Sequence, residues 1–360
     1  MNFTNSIFNF RNQLRLQEGG LLIVIFVLGI FLTLFGGRVQ MPESRKNADG
    51  KIERVMVEKN KFLNSRNLVK LAKDTSFIAI MAVGATFVIV SGGIDLSVGA
   101  IYALASVFGA TVFTRFGLDA SGNPTAVLPG LLACIGAGMA CGLFNGAMIV
   151  ALKVHPFIIT LGTMAVFRGI AFMVTNGQSV GGFPASFRDF IRWETEGGLS
   201  VVPLAVTIVV MILGSIYLSR LAMGRRIYAV GGNELASRFS GIRVSRTKLS
   251  VYVVSGLTAG VAALIALGYY GSASSSDGHS YELSVIAAAV VGGASLSGGR
   301  GSALGAVLGA LILQMINTGI VILDINQNYS QIITGAVVII AVVLDQLNTW
   351  LAKRRLTKSG

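Results

Sequence analysis

Charged side chains are scarce in this chain of 360 residues: Asp, Glu, Lys and Arg together make up 12% of it, about half the share found in ordinary soluble proteins. Hydrophobic residues make up 53%, and the mean hydropathy is +0.72. A water-soluble protein cannot bury so many apolar side chains without a polar shell to cover them. The composition therefore excludes a soluble domain and predicts that lipid is the solvent for most of the chain.

Cysteine and histidine are also rare, with two of each. Cys134 and Cys141 are seven residues apart in one apolar stretch, which places them about 10 Å apart on a helix, too far for a disulfide. His155 and His279 lie outside the apolar runs and have no paired ligand. The sequence has no metal-binding spacing, no serine-hydrolase or zinc-protease motif and no pair of intramembrane aspartates. We therefore expect no metal, no cofactor and no catalytic residue, so the chain is not expected to be an enzyme.

Acidic residues are fewer than basic ones, 16 against 29, which gives a net charge of +13. In a soluble protein this excess would suggest nucleic-acid binding. In a membrane protein, cations instead collect in cytoplasmic loops. We expect no nucleic-acid partner and interpret the excess of cations as an indication of how the chain is oriented in the membrane.

Long apolar runs are what the chain does have. A helix crosses the hydrocarbon core with about 20 residues. Nine runs lack any charged residue, and a tenth, 157–175, carries only Arg168: the nine are 19–37, 75–94, 96–114, 120–152, 197–219, 249–276, 283–299, 301–323 and 325–344. The prediction is an all-α polytopic membrane protein with about ten transmembrane helices, some of them short or broken.

Ten spans place both termini on one side of the membrane. The longest basic loop, 220–248, carries seven cations and favours the cytoplasm for that side. Residues 1–18 are then a cytoplasmic interfacial segment, 19–350 a transmembrane domain and 351–360 a basic cytoplasmic tail. The polar segment 37–70, between the first two spans, falls on the outer side.

A single carboxylate interrupts about 40 apolar residues at the turn between the second and third spans. This turn contains Gly92, Gly93, Asp95 and Ser97. The glycines allow close backbone approach, and Asp95 with Ser97 is able to cap the next helix. Two interpretations stay open: a structural cap, or direct contact with a transported substrate.

A second glycine-rich turn covers 292–301. It has part of the spacing of a phosphate-binding loop, but Gly299 stands where the phosphate-binding lysine belongs. We interpret it as a tight connection between closely packed spans, so nucleotide energy would have to come from another chain. Small residues spaced by three or four also predict close helix packing: these are Gly256, Ala259, Gly260 and Ala263, and Gly301, Gly305 and Gly309.

The basic segment 224–241 is predicted to be a loop that delivers a short helix. Asn233 is a favourable N-cap, Glu234 suits the first turn and Gly241 is a natural stop. Leu235 and Phe239 form an apolar pair at i, i+4 that a helix of about two turns would expose. Either this chain's own helix ends or a partner subunit should cover the pair.

Arg168 is the one charged residue of its span. It either extends toward the membrane surface or faces the bundle interior, where it would need a carboxylate or carbonyl groups.

Four motifs in this order resemble those of the ribose-type sugar permeases of bacterial ABC importers. The resemblance runs from about Phe62 to the C-terminus. The matching segments are Ser91–Gly99, Pro156–Thr163 followed by Arg168 and Gly169, Tyr228–Ile242, and Gly292–Ser302.

This resemblance implies the ABC importer permease fold, a permease dimer of identical or different subunits, cytoplasmic ABC ATPase subunits and a periplasmic or extracellular sugar-binding protein. It implies that Gly92, Gly93, Asp95 and Ser97 lie near the substrate pathway. It also implies that the short helix couples the permease to the ATPase, with these residues at the contact: Arg225, Arg226, Gly231, Asn233, Glu234, Ala236, Ser237, Arg238 and Gly241.

One segment departs from the pattern of such permeases. Residues 38–66 form a polar, charge-mixed insertion where the family usually has a short link. We hypothesise that it contributes to docking of the binding protein; a tolerated surface insertion is the alternative. The function implied is that of a membrane permease subunit of an ATP-driven sugar importer in the bacterial inner membrane. Related permeases for branched-chain amino acids, and a secondary transporter, are the alternatives.

Overall fold

A computed structural model describes residues 3–46, 52–116, 127–195, 198–337, 339–340, 342–343 and 346. Its helices are α1 Phe3–Phe35, α2 Ser65–Val90, α3 Val98–Phe116, α4 Val127–Leu152, α5 Pro156–Thr175, α6 Ala185–Ile191, α7 Val201–Arg220, α8 Ala222–Gly232, α9 Glu234–Phe239, α10 Val244–Tyr270, α11 Tyr281–Val291 and α12 Ala303–Ile322. Residues 329–337 are also helical. The strands are β1 Arg38–Lys46, β2 Ile52–Asn60, β3 Val180–Gly181 and β4 Ser272–Ala273.

Eight of the described helices are long and apolar enough to cross a membrane. They are α1, α2, α3, α4, α5, α7, α10 and α12, and each overlaps one of the predicted apolar runs. The prediction of an all-α polytopic membrane protein is confirmed. The basic tail 351–360 lies outside the described residues.

The helices form a central group and an outer group. In α2, α3 and α10, between 72% and 83% of the most apolar stretch is buried inside the protein, whereas α1 buries only 6% and α5 22%. Outer helices therefore present apolar side chains to lipid, which is the environment that their composition requires. The central helices hold the polar groups described below.

Helices α4 and α10 touch backbone to backbone. Gly138 lies against Gly256 and Gly260, and Gly142 against Tyr252 and Gly256, with no room for a Cβ atom at any of these glycines without displacing backbone. The predicted close packing of the α10 row is confirmed. Its partner row of Gly138, Gly142 and Gly146 shows the same four-residue spacing. Cys134 and Cys141, also on α4, are buried free thiols.

The predicted span at 283–299 forms only in part. Helix α11 has 11 residues and ends at Val291, which is about 16 Å of helix. Gly293 has φ of +95°, a conformation that favours glycine and stops the helix. The remainder of the run is an irregular loop up to Ser302, where α12 begins.

The insertion after α1 is an antiparallel β-hairpin, a structure that the sequence analysis does not predict. Nine residue pairs join β1 to β2, from Arg38 with Asn60 to Lys46 with Ile52, which makes the hairpin about 30 Å long. Asn60 donates from its side-chain amide to the Thr33 carbonyl at 2.7 Å, and Lys61 pairs with Asp324 at 3.0 Å. The base of the hairpin is therefore tied to the ends of α1 and α12.

Candidate functional site: a presented helix and its support

Helix α9 has the N-terminal cap that the sequence predicts. The Asn233 side chain accepts a hydrogen bond from the Ala236 N–H at 2.9 Å, and Gly241 follows the helix with φ of +80°. The segment before α9 differs from the prediction of a loop. Residues 222–232 form helix α8, because Ile227 and Val230 give this segment an apolar face that it buries against the bundle.

The exposed face of α9 is apolar and cationic. Leu235 is 65% exposed and Phe239 is 83% exposed, so this chain's own described helix ends do not cover the predicted apolar pair. Arg238 on α9 and Arg225 and Arg226 on α8 are exposed as well. Two large apolar side chains ringed by arginine are typical of a surface that a partner covers.

Glu234 fixes α9 to the bundle. Its carboxylate forms ion pairs with the Lys248 ammonium of α10, at 2.7 Å, and with the Arg238 guanidinium of α9, at 3.4 Å. Ser237 is buried beneath the helix. Although α9 has only six residues, the cap and these ion pairs hold it in one orientation.

Beneath α8, three backbone segments meet at Gly231. A Cβ atom at Gly231 would overlap the carbonyl oxygen of Val90, the last residue of α2, and would crowd the Gly299 N–H. Gly299 itself donates from its N–H to the Val90 carbonyl at 2.8 Å. Gly92 lies directly beside this contact. The structure thus brings the predicted coupling segment, the Gly92 turn and the second glycine-rich turn together.

Tyr228 adds a side-chain link at the same place. Its hydroxyl donates to the Gly301 carbonyl at 2.6 Å. Burial, and then the charge of Glu18, raise the pKa of Tyr228 to about 12, so the hydroxyl keeps its proton at neutral pH and continues to donate.

Asp95 is held by three hydrogen bonds. One carboxyl oxygen accepts from the Ser97 N–H at 3.0 Å and the Ser97 hydroxyl at 2.6 Å. The other accepts from the Ser255 hydroxyl of α10 at 2.9 Å. Asn145 of α4 donates to the Ser97 hydroxyl at 2.7 Å. With only 2% of Asp95 exposed, this geometry favours the structural cap over direct contact with a substrate.

The ends of α2 and α11 share one backbone geometry. Gly92 and Gly293 have positive φ, and the following residues, Gly93 and Ala294, donate to carbonyls five residues back, at Val88 and Ala289. Sequence reasoning treated these turns separately. The repetition of Gly-Gly-x-x-Leu-Ser at residues 92–97 and 292–297 does not predict this likeness, because it pairs Gly92 with Gly292 and is shifted by one residue from the shared geometry.

Arg168 faces backbone carbonyls in the bundle rather than lipid. Its guanidinium donates to the carbonyls of Ser275 at 2.8 Å, Gly278 at 3.3 Å and Asp277. It thereby fixes the loop between α10 and α11 at the end of the bundle opposite α9. Within the described part of the chain, no group of three His, Cys, Asp or Glu side chains is placed to hold a metal ion.

Comparison with known proteins places this geometry in a family. Residues 67–342 match the family model described as the permease component of the branched-chain amino acid transport system. The chain is 38% identical over 290 residues to the ribose import permease protein RbsC of Escherichia coli (strain K12), covering 79% of this chain and 87% of that protein.

Two other relatives cover a similar share of the chain. The ribose import permease protein RbsC of Bacillus subtilis (strain 168) is 40% identical over 289 residues, 79% of this chain and 86% of its own length. The D-allose transport system permease protein AlsC of Escherichia coli (strain K12) is 36% identical over 289 residues, which cover 79% of this chain and 85% of that protein. No solved structure matches the chain. The chain belongs to this family of ABC transporter permease components, and its relatives within the family are ribose-type permeases.

Proposed function

We propose that this chain is the membrane permease subunit of an ATP-driven sugar importer. Two permease subunits, identical or different, would form the translocation pathway and open it alternately to either side. Separate ABC ATPase subunits would hydrolyse ATP, and a periplasmic or extracellular binding protein would deliver the sugar. The family match and the relatives' names, which specify ribose and allose, support this assignment.

The observation that carries the proposal is the presentation of α9. Its apolar side chains Leu235 and Phe239 point away from the bundle, while Asn233 and Glu234 hold its position from below. A rigid, exposed apolar pair is suited to a groove on an ATPase subunit. Arg225, Arg226, Arg238 and the exposed residue Ala236 would lie at the rim of that contact.

Motion of α9 has a physical route into the bundle. Gly231 and Tyr228 rest on the Val90 carbonyl and on the turn that contains Gly299 and Gly301. Backbone segments in such close contact cannot move independently, so a shift of α8 would displace the ends of α2 and α11 together. We place the Gly92–Ser97 turn beside the substrate pathway, where this displacement would alter its width.

The same contacts and the charge distribution support a proposed orientation in the membrane. Helix α9 and the hairpin lie at opposite ends of α2. With the basic 220–248 segment in the cytoplasm of a bacterial cell, the N- and C-termini are cytoplasmic and the hairpin extends outward from the inner membrane. A reporter fused after Gly360 that is active only outside the cytoplasm would reverse this orientation.

Co-purification with the ATPase tests the coupling surface. The double substitution Leu235→Ser and Phe239→Ser should leave the fold intact, because both side chains are exposed, and should weaken ATPase binding roughly 30-fold, as loss of an interface hot spot does. Leu221→Ser is the matched control, since Leu221 is exposed on the adjoining turn. Unchanged ATPase binding by the double variant would contradict the proposal.

Coupling itself is tested by substitutions that disturb the position of α9 but keep its apolar pair Leu235 and Phe239. Glu234→Gln and Arg238→Gln remove the ion pairs that orient α9, and Gly241→Val strains a position with positive φ. Each should uncouple ATP hydrolysis from uptake in proteoliposomes. Normal transport by all three would show that the orientation of α9 is irrelevant to coupling.

The hairpin is a candidate docking element for the binding protein. Asn60 and Lys61 join its base to the ends of α1 and α12, and it is about 30 Å long. Deleting residues 40–58 should reduce the ATPase stimulation produced by the binding protein. Unchanged stimulation would favour a tolerated insertion.

A permease for branched-chain amino acids is the second candidate, because the matched family carries that description. A thermal-shift panel of sugars and amino acids on the partner binding protein separates the two. A secondary transporter would instead act without any co-purifying ATPase.

A further inference from the structure

Two adjoining cavities lie at the hairpin end of the bundle. One, of about 270 Å³, is lined by α2, α10, α11, α12 and the helical residues 329–337. The other, of about 330 Å³, lies between α3, the end of α10, the following loop and α11. Tyr270 and Tyr281 line both cavities, so their rings divide one polar region into two chambers.

Four polar groups line these chambers without a partner among the described residues, and three of them, on Tyr102, Tyr281 and Gln314, belong to buried or half-buried side chains. The hydroxyls of Tyr102, Tyr270 and Tyr281 and the side-chain amide of Gln314 make no hydrogen bond to another described residue, and none of these atoms is sealed from solvent-sized space. Polar groups inside proteins are normally bonded. These four groups are therefore available to a molecule in the cavities.

Helix α12 also contributes polar side chains to the first cavity. Gln314 and Asn317 are three residues apart in a span whose one other polar residue is Thr318, and both line the 270 Å³ cavity. Asn317 accepts a hydrogen bond from the Ser330 hydroxyl at 3.0 Å and joins two helices. Gln314 makes no such link. A polar side chain within a membrane span is costly unless it finds a partner.

Both carboxylates that line the chambers, Asp74 and Asp277, have partners. Asp74 pairs with Lys73 at 3.2 Å. Asp277 accepts from the Ser274 N–H at 2.8 Å and lies near the Arg168 guanidinium. Burial raises the pKa of Asp277, and the Ser274 N–H and the Arg168 charge offset part of that effect. The cavities therefore present hydroxyl, amide and paired carboxylate groups, which suit a neutral polar ligand.

We infer that the chambers on either side of Tyr270 and Tyr281 bind the transported solute as a neutral, polyhydroxylated ring of monosaccharide size. The tyrosine rings would pack on the C–H face of the sugar, while their hydroxyls and Gln314 would exchange hydrogen bonds with its hydroxyls. Because a free amino acid needs uncompensated partners for its ammonium and carboxylate, this lining disfavours branched-chain amino acids. The inference rests on the proposed transport function.

Uptake into proteoliposomes tests the site. The complete complex, comprising this chain, its ATPase and its binding protein, is given radiolabelled D-ribose, D-allose or L-leucine at subsaturating concentration. The double variant Tyr281→Phe, Gln314→Leu should lower sugar uptake about tenfold, as expected for two lost hydrogen bonds. Its yield in the membrane and its co-purification with the ATPase should match those of the unsubstituted chain, which shows that the lost uptake does not come from misfolding or failed assembly. Tyr329→Phe is the control, because Tyr329 is exposed and lines neither cavity.

A second measurement reads ligand occupancy directly. Ser284→Cys places a thiol in the 270 Å³ cavity, and both native cysteines are buried. D-ribose or D-allose at about ten times its Kd should slow labelling by a small thiol reagent roughly tenfold. Ser276→Cys, exposed on the loop outside both cavities, should be labelled at the same rate with and without sugar.

The outcomes separate the two proposals. If the unsubstituted complex imports sugar but the double variant does so equally well and Ser284→Cys is not protected, the cavities hold only water and the inference is overturned while the transport function stands. Import of L-leucine instead of sugars overturns the ligand class. A chain that neither binds an ATPase nor transports overturns the proposed function together with this site.

Discussion

The polar groups in the bundle fall into two regions with opposite degrees of hydrogen bonding. Around Asp95, both carboxyl oxygens accept hydrogen bonds, and the donors come from Ser97 and from Ser255 on another helix. Around Tyr270 and Tyr281, hydroxyl groups line cavities and bond to no residue that the structure describes. Only the carboxylate is saturated, because the side-chain oxygen of the neighbouring Asn145 has no partner among the described residues. A network centred on a saturated carboxylate fixes the positions of helices, whereas an unsaturated surface is free to bind a ligand. The two regions therefore serve different purposes, although both place polar groups among apolar helices.

Removing the centre of the saturated network should have the largest effect. Asp95→Ala leaves the Ser97 N–H, the Ser97 hydroxyl and the Ser255 hydroxyl without their acceptor in a buried site. At about 1 kcal/mol for each bond lost, the destabilisation is about 3 kcal/mol. Thermal unfolding of the purified chain in detergent measures it. An unfolding midpoint equal to that of the unsubstituted chain would show that the turn does not depend on its carboxylate.

A smaller effect is expected where the saturated region meets the coupling segment. Gly231→Ala inserts a methyl group against the Val90 carbonyl and the Gly299 N–H, which are backbone atoms that cannot turn away. Overpacking of this kind costs about 1–3 kcal/mol, and the misplaced α9 should reduce uptake per ATP hydrolysed.

The neighbouring glycine provides the control for that substitution. A Cβ atom at Gly232 would meet nothing within 4 Å, so Gly232→Ala should be tolerated and should preserve coupling. If both substitutions had the same effect on uptake per ATP, the tight contact at Gly231 would not be the route between α9 and the bundle.

How far the sequence predicts each region follows from the range of the interactions involved. Asn233 caps α9 through a bond to Ala236, three residues away, and the cap is therefore recognisable from local sequence. Arg168 finds its carbonyls more than 100 residues along the chain, so the residues alone left its direction open. The membrane spans, like the Asn233 cap, are recognisable from local sequence, because each contains a run of apolar residues.

The features that the sequence did not reveal depend on contacts between elements. Helix α8 forms because the bundle buries Ile227 and Val230, and in isolation its basic sequence is equally consistent with a loop. The paired cavities arise where six helical segments and the loop after α10 fail to close around Tyr270 and Tyr281. No periodic pattern of hydrophobic residues in the sequence predicts that arrangement.

The smallest predicted effect compares the two regions by removing one hydroxyl from each. Ser255→Ala deletes a donor to Asp95 and leaves a buried carboxyl oxygen with one partner fewer, which should cost about 1–2 kcal/mol of unfolding free energy. Tyr281→Phe deletes a hydroxyl that bonds to no described residue, so its unfolding midpoint should match that of the unsubstituted chain. Sugar uptake should respond in the reverse order, falling for Tyr281→Phe in properly folded protein. Equal destabilisation by both substitutions would mean that the Tyr281 hydroxyl is part of a structural network, and the distinction between a fixing region and a binding region would then fail.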